Sequence, residues 1–170
     1  MGAHLEYDNA KPFLEIYCDA DWGGDPDKDR STIGIIMLMK GIPIYHKSRI
    51  QGNTAKSTAN AELIALCDCV EETIWLKGLL TDFDLDVNPI IQCDNNPAIQ
   101  TVSKEVLSKG NKHIARRYNF IKGYLDQGGI NVVHVPSAKN LSDLMTKPFA
   151  RPDHERLTSA IIRSKPSNSQ

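Results

Sequence analysis

The order of predicted strands and helices constrains the fold of this chain more than any single residue does. Three strand-like segments follow one another with only turns between them, which favours antiparallel neighbours. After residue 57, helical segments alternate with strands, which favours parallel crossover connections. This order predicts an α/β domain whose five-stranded mixed sheet has three antiparallel strands first and two further parallel strands, flanked by helices.

Local residue patterns set the bounds of these elements. β-branched and apolar runs indicate strands, apolar residues at helical spacing indicate helices, and clusters of Gly, Pro and Asp indicate turns. The predicted strands are 13–20, 32–39, 42–50, 89–93 and 130–135, with a turn at 22–27. The predicted helices are 57–82, a short helix capped by Asn95, 112–127, 140–146 and 152–163.

Length and composition are those of an ordinary globular chain with one domain. The 170 residues are 41% apolar and 24% charged, and no apolar run is long enough for a transmembrane helix. We expect residues 1–12 to be a leader or a cloning remnant, 13–150 to form the domain, and 151–170 to hold a C-terminal helix and a disordered tail. The four cysteines lack zinc-site spacing, so we expect them to be reduced and buried.

Four carboxylates stand at or near the ends of predicted elements. Asp19 and Asp94 follow apolar strands, Glu62 lies in the first turns of the long helix, and Asp143 lies in a short late helix. Elements of this order can meet at one edge of a sheet, and four acids cannot all stay ionised there without cations. Two Mg²⁺ ions about 3.5–4 Å apart would suit such a cluster, which is typical of phosphodiester-cleaving sites.

Each acid also has an ordinary structural explanation. An aspartate after a strand is often a turn former, and an early glutamate often interacts with the helix dipole. Taken singly, each of the four would be assigned that structural role, whereas the four together favour a metal site. The role of Asp21, close to Asp19, stays open.

Basic residues are concentrated between positions 104 and 122, although the formal net charge of the chain is only −1. Such a segment either tracks nucleic-acid phosphates or is a solvated helical face. Asn95 and Asn96 are candidates for contacts to sugars or base edges. The remaining candidates for nucleic-acid binding are Lys47, Lys56, Ser57, Lys112, His113, Arg116 and Arg117.

Several motifs are spread across about residues 14–163. They are Cys18-Asp19-Ala20-Asp21-Trp22-Gly23-Gly24-Asp25, Arg30-Ser31-Thr32, Ser57-Thr58 with Ala61-Glu62, Cys93-Asp94-Asn95, Lys112-His113-Ile114 with Arg117-Tyr118, and Asn140-Leu141-Ser142-Asp143 with Met145-Thr146-Lys147-Pro148. Together they resemble the ribonuclease H domain of copia-type LTR retrotransposon Pol polyproteins. Their order and spacing match that family, which makes the resemblance specific.

The resemblance implies a ribonuclease H-like fold and an endonuclease that cuts the RNA strand of RNA–DNA hybrids, leaving 5′-phosphate and 3′-hydroxyl ends. The family's metal-binding acids carry over onto Asp19, Glu62, Asp94 and Asp143, with two Mg²⁺ (or Mn²⁺) as cofactors. By the same analogy, Asp19 bridges both ions, Asp143 completes the site of the water-activating ion, and Glu62 and Asp94 hold the other. The reverse transcriptase domain of the same polyprotein is the expected partner, and no membrane association is expected. The expected location is intracellular, in cytoplasmic virus-like particles or the nucleus.

The chain departs from cellular members of the superfamily in the segment before the last acid, and it lacks the basic protrusion found in some of them. Those enzymes carry a histidine in a flexible loop before the last acid, whereas here only Pro136-Ser137-Ala138-Lys139 separates the fifth strand from the late helix. His134 falls inside the predicted strand and is not expected to replace that histidine. Two other interpretations stay open: a catalytically silent nucleic-acid-binding or protein-interaction module, and a nuclease with another substrate.

Overall fold

The structure is a computed structural model that describes residues 13–25, 30–52, 54–103 and 115–161. Five strands form one sheet in the order β3-β2-β1-β4-β5, so the predicted mixed sheet is confirmed. The β1–β2 and β2–β3 pairs are antiparallel, and the β1–β4 and β4–β5 pairs are parallel. The strands are β1 Phe13–Asp25, β2 Arg30–Met39, β3 Ile42–Ile50, β4 Asn88–Cys93 and β5 Asn131–His134.

Four α-helices and two short 3-10 helices complete the described part of the chain. The α-helices are α1 Thr58–Asp82, α2 Asn96–Ser103, α3 Ala115–Asp126 and α4 Arg151–Ile161. The 3-10 helices are Ser137–Lys139 and Leu141–Met145, and we call the second one the late 3-10 helix. No helix among the described residues has the length and apolar content that crossing a membrane requires.

Alternation along the strands divides the sheet into two buried faces. On one face, Ile16 and Cys18 of β1 pack with α1 and with Tyr118 and Ile121 of α3. On the other face, Tyr17 packs against the late 3-10 helix and α4 in a smaller cluster completed by Ile36, Leu38, Val135, Leu141, Leu157 and Ile161. The four cysteines are buried and free, as predicted.

The long helix α1 begins and ends at residues with clear local causes. Ser57 is the N-cap, and its side-chain oxygen accepts a hydrogen bond from the Asn60 backbone N–H at 3.2 Å. At the other end, Asp84 adopts a positive φ of 58°, and the Leu85 N–H returns to the Leu80 carbonyl at 2.9 Å. The predicted helix is therefore confirmed.

Two predicted elements differ from the structure. The predicted turn at 22–27 is wrong over residues 22–25, because β1 continues to Asp25 through a register shift between Asp21 and Asp25, with Gly23 at a positive φ of 68°. The short helix predicted at 140–146 is a 3-10 helix over Leu141–Met145, because Asn140 is extended and acts as its N-cap. The predicted leader, the disordered tail after residue 165 and the predicted start of the helix at 112 lie outside the described residues.

Gly34 of β2 permits the late 3-10 helix to lie directly on the sheet. A Cβ atom at Gly34 would come within 2.6 Å of the Ser142 carbonyl oxygen and 2.9 Å of the Met145 Cβ. Gly34 is also the antiparallel partner of Asp19 in the β1–β2 ladder. The missing side chain therefore lets the segment that carries Asp143 approach Asp19.

We expect Gly34→Ala to lower the free energy of unfolding by about 1–3 kcal/mol, because the late 3-10 helix must move away from β2. Denaturant unfolding measures this change. Gly78→Ala is the matched control, since nothing lies within 4 Å of that added methyl group in α1, and alanine in a helix interior is neutral or stabilising. Equal stability of Gly34→Ala and the unsubstituted protein would contradict the close approach.

Candidate metal site

The parallel register of β1 and β4 brings Asp19 and Asp94 together. Cys18 pairs with Cys93 in this ladder, so the next residue of each segment is an aspartate at the same edge of the sheet. Asp19 is buried and Asp94 is half-buried. The register of β1 and β4 therefore accounts for the predicted proximity of Asp19 and Asp94.

Glu62 approaches the same edge from α1. It is 5% exposed and lies one turn beyond the Ser57 cap, next to the fully buried Ala61. Among the described residues, carboxylate or thiol atoms of Glu62, Cys93 and Asp94 lie within 4.8 Å of one another. The Glu62 Oε2 atom is buried and has no hydrogen-bond partner there. A buried carboxylate oxygen without a partner is costly, so this position suits a cation.

Asp143 comes from the late 3-10 helix, whose position depends on Asn140. The fully buried Asn140 side chain donates from Nδ2 to the Cys18 carbonyl oxygen at 3.0 Å. Its Oδ1 accepts hydrogen bonds from the Ser142 backbone N–H at 3.3 Å and from the Ser142 hydroxyl at 2.6 Å. These bonds connect the segment before Asp143 directly to the residue before Asp19.

Two residues that follow Asp143 also contact the acids. The Thr146 hydroxyl donates to Asp19 Oδ2 at 2.5 Å. The Lys147 ammonium lies 3.2 Å from Asp19 Oδ2 and 3.1 Å from Asp143 Oδ1. The four acids are thus gathered at one edge, with the Lys147 ammonium beside Asp19 and Asp143.

Burial and mutual repulsion change the pKa values of two of the acids. Burial, followed by the charges of Asp19 and Asp94, raises the pKa of Glu62 to about 9. Burial and the charge of Asp19 raise the pKa of Asp143 to about 6, although Lys147 opposes that shift. At neutral pH and without added cations, Glu62 therefore holds a proton that a bound metal would displace.

The donor set fits a hard divalent cation. Carboxylate oxygens are the ligands that Mg²⁺ and Mn²⁺ prefer, and Glu62, whose Oε2 lacks a partner among the described residues, belongs to this cluster. Cys93 is a poor candidate ligand, because its hydrogen bond with Cys18 and its burial raise the pKa of the thiol far above its ordinary value. The residues able to hold ions here are the four carboxylates rather than the thiol.

Several candidates for nucleic-acid contact lie close to the acids along the chain. Ser57 and Asn95 serve as caps, since the Ala98 N–H donates to Asn95 Oδ1 at 2.9 Å. Lys56 and Asn96 are exposed just before α1 and at the start of α2. Their predicted contacts with nucleic acid stay predictions.

Other basic candidates form ion pairs within the protein. Lys47 lies 2.5 Å from Glu72 Oε1, and the Arg117 guanidinium contacts Asp68 and, at 2.6 Å, Glu71. These bonds hold β3 and α3 against α1, so a phosphate contact by Lys47 or Arg117 would compete with them. Lys112 and His113 lie outside the described residues, as does the side chain of Arg116.

Reasoning from the sequence alone assigned no role to several residues that position the acids. Lys147 follows Asp143 by four residues, a spacing typical of helical ion pairs. Gly34, inside a β-branched strand, was a second available signal. Asn140 and Thr146 lacked such a signal, because their partners, Cys18 and Asp19, are more than 120 residues away in the chain.

Comparison with known proteins identifies the relatives of this chain. The chain is 36% identical over 140 residues to the retrovirus-related Pol polyprotein from transposon RE2 of Arabidopsis thaliana, a match covering 81% of the chain. It is 32% identical over 151 residues, or 88% of the chain, to the corresponding polyprotein from transposon TNT 1-94 of Nicotiana tabacum. The homologues of this chain are Pol polyproteins of copia-type transposons. The matches cover about a tenth of each polyprotein, 10% and 11% respectively.

Solved structures identify the fold. LC11 ribonuclease H1, isolated from compost, superposes with a TM-score of 0.59 at 20% identity, covering 79% of this chain and 92% of that one. The N-terminal ribonuclease H domain of a Mycobacterium tuberculosis protein gives a TM-score of 0.57 at 13% identity, covering 88% and 96%. The fold is ribonuclease H-like, and the resemblance that the motifs predicted is confirmed. No protein-family model matches the chain.

The raised pKa of Glu62 predicts how the stability of the metal-free protein depends on pH. A carboxyl group whose pKa is raised by folding contributes stability that is fully present below its ordinary pKa and is lost as the pH approaches about 9. We therefore expect the metal-free Tm to fall between pH 5 and 9, and Glu62→Gln to reduce that fall. Glu155→Gln, at an exposed glutamate of α4, is the control. An unchanged pH slope in Glu62→Gln would contradict this account.

Proposed function

We propose that this chain is a ribonuclease H that hydrolyses the RNA strand of RNA–DNA hybrids as part of a retrotransposon polyprotein. The observation that carries the proposal is the convergence of Asp19, Glu62, Asp94 and Asp143 at one edge of a ribonuclease H-like sheet. All four acids are present, which argues against a catalytically silent module. LC11 ribonuclease H1, which shares the fold, has been solved in complex with an RNA/DNA hybrid, which supports this substrate class.

The four carboxylates would hold two divalent ions, Mg²⁺ or Mn²⁺. When bound, such ions supply a more acidic water molecule and stabilise the negative charge that develops on the phosphate. The protein contributes preorganised ligands: Asn140 fixes the segment before Asp143, and the Thr146 hydroxyl fixes one oxygen of Asp19. Ligands held this way need little rearrangement when substrate arrives, which lowers the barrier to reaction. The products would carry 5′-phosphate and 3′-hydroxyl ends.

Recognition of the hybrid would depend on shape and on 2′-hydroxyl groups rather than on base sequence. Proteins read A-form duplexes mainly through phosphates and 2′-hydroxyls in the minor groove. Glu62 is the candidate to sense a 2′-hydroxyl. Lys56 and Asn96 are exposed near the N-termini of α1 and α2, where they can contact phosphate and sugar. Sequence preference should therefore be weak.

In its native setting the domain would act with the reverse transcriptase of the same polyprotein. The homologues are Pol polyproteins roughly ten times the length of the matched segment. The tethered polymerase would supply part of the affinity for the hybrid by raising its effective concentration. We place this activity inside the cell, in virus-like particles or the nucleus.

Asp94→Asn should reduce cleavage of a labelled RNA–DNA hybrid by about 10²–10³-fold, as expected when a preorganised charged group is lost. Asp82→Asn, at the distal end of α1, is the matched control and should cleave normally. Single-stranded RNA and duplex DNA, tested with either metal, should remain intact. Cleavage that persists in Asp94→Asn would contradict the assigned site.

The same assay separates the alternative functions. Cutting of duplex DNA would indicate a nuclease with another substrate. A folded protein that binds the hybrid but cuts nothing, alone or fused to its polymerase, would indicate a catalytically silent binding module. Cutting that appears only in the fusion would support the ribonuclease H assignment and show that the domain depends on its partner.

A further inference from the structure

Lys147 divides the acidic cluster into two halves of different charge balance. Its ammonium lies 3.2 Å from Asp19 Oδ2 and 3.1 Å from Asp143 Oδ1, so it partly neutralises these two acids. Glu62 and Asp94 form the other half, where the buried Glu62 Oε2 has no hydrogen-bond partner among the described residues. The cluster is therefore partly neutralised by the protein itself.

The backbone holds Lys147 in this position through the same turn that carries Asp143. The Thr146 and Lys147 backbone N–H groups both donate to the Asp143 carbonyl, at 3.1 and 3.0 Å. The Ser48 hydroxyl donates to the Met145 carbonyl at 2.6 Å and connects this turn to β3. Lys147 thus starts from a fixed backbone position, and only its side chain needs to move.

The ammonium occupies carboxylate oxygens that a metal would need. Asp19 Oδ2 already accepts from Thr146 as well as from Lys147, and Asp143 Oδ1 accepts from Lys147. The side chain of Lys147 is 36% exposed, whereas those of Asp19 and Asp143 are 2% and 12% exposed. The lysine can therefore swing toward solvent when a divalent cation binds, whereas the two acids stay in place.

We propose that Lys147 is a resident counter-cation that competes with divalent metal for Asp19 and Asp143. This inference rests on the proposed function, because it takes the acids as the metal ligands. In the metal-free protein, the lysine offsets the repulsion between two desolvated carboxylates and stabilises the fold. When a metal enters, the same ion pairs must break, so the lysine weakens metal affinity. The lysine therefore stabilises the metal-free fold and raises the metal concentration that is needed to fill the site.

The test is a titration of the metal-free protein with Mn²⁺, in which the electron paramagnetic resonance signal of the free ion reports binding. Thermal unfolding without metal is measured in parallel. Lys147→Met should bind Mn²⁺ about tenfold more tightly, a change of about 1.4 kcal/mol in binding free energy. It should also unfold at a lower temperature without metal. Lys139→Met is the matched control, because Lys139 is an exposed lysine in the 3-10 helix Ser137–Lys139. It should change neither measurement.

Lys147→Gln serves as a second variant that keeps a hydrogen-bonding side chain without the charge, in case Lys147→Met folds poorly. Equal or weaker Mn²⁺ binding in both folded variants would overturn the inference, as would unchanged metal-free stability. If the variants bind Mn²⁺ and the unsubstituted protein does not, the inference is supported, because Lys147 then excludes the metal. That result would count against the unsubstituted protein as a metal-dependent nuclease. Absence of Mn²⁺ binding in the unsubstituted protein and in all variants would overturn the inference. The nuclease proposal would then be tested separately by the cleavage assay with the hybrid.

Discussion

The parallel register between β1 and β4 is the constraint on which the site depends. Pairing of Cys18 with Cys93 places Asp19 and Asp94 side by side, and a shift of one residue would send one of them to the opposite face. The buried residues on both faces of β1 fix that register, since Cys18 packs under α1 and Tyr17 packs under the late 3-10 helix. The core therefore determines where the acids stand.

Two close contacts bring the remaining parts of the site to that edge. Gly34 leaves room for the late 3-10 helix above Asp19, and Asn140 bonds the start of that helix to the Cys18 carbonyl. Both positions are buried, and neither residue is a candidate ligand. Substitutions at these positions should act on the chemistry through geometry, by moving Asp143 relative to Asp19.

The electrostatics of the cluster link folding to cation binding. Folding buries the acids close together, where they repel one another and lose hydration. The pKa values of Glu62 and Asp143 are raised for this reason. Protons, Lys147 and divalent ions are three sources of positive charge that relieve this repulsion. They act on the same cluster of acids, which is why pH, metal concentration and the lysine side chain should affect stability together.

The sequence predicted the five-stranded mixed sheet, the long helix and the convergence of the acids, because these depend on periodicity and element order. It did not predict the extension of β1 to Asp25, because strand pairing with Arg30 offset the turn preference of the glycines. It also gave no role to Asn140 and Thr146, whose partners lie more than 120 residues away. Contacts of that separation are fixed by tertiary packing, which local patterns do not report.

The most direct test of a metal site built from the four acids is a crystal structure of the protein with Mn²⁺, with the ions located by anomalous scattering. We predict anomalous peaks between Asp19, Glu62, Asp94 and Asp143, with the Glu62 carboxylate as a ligand and the Lys147 ammonium displaced from Asp19. An intact fold whose acids show no peak at saturating Mn²⁺, or whose peaks lie at other residues, would contradict the account.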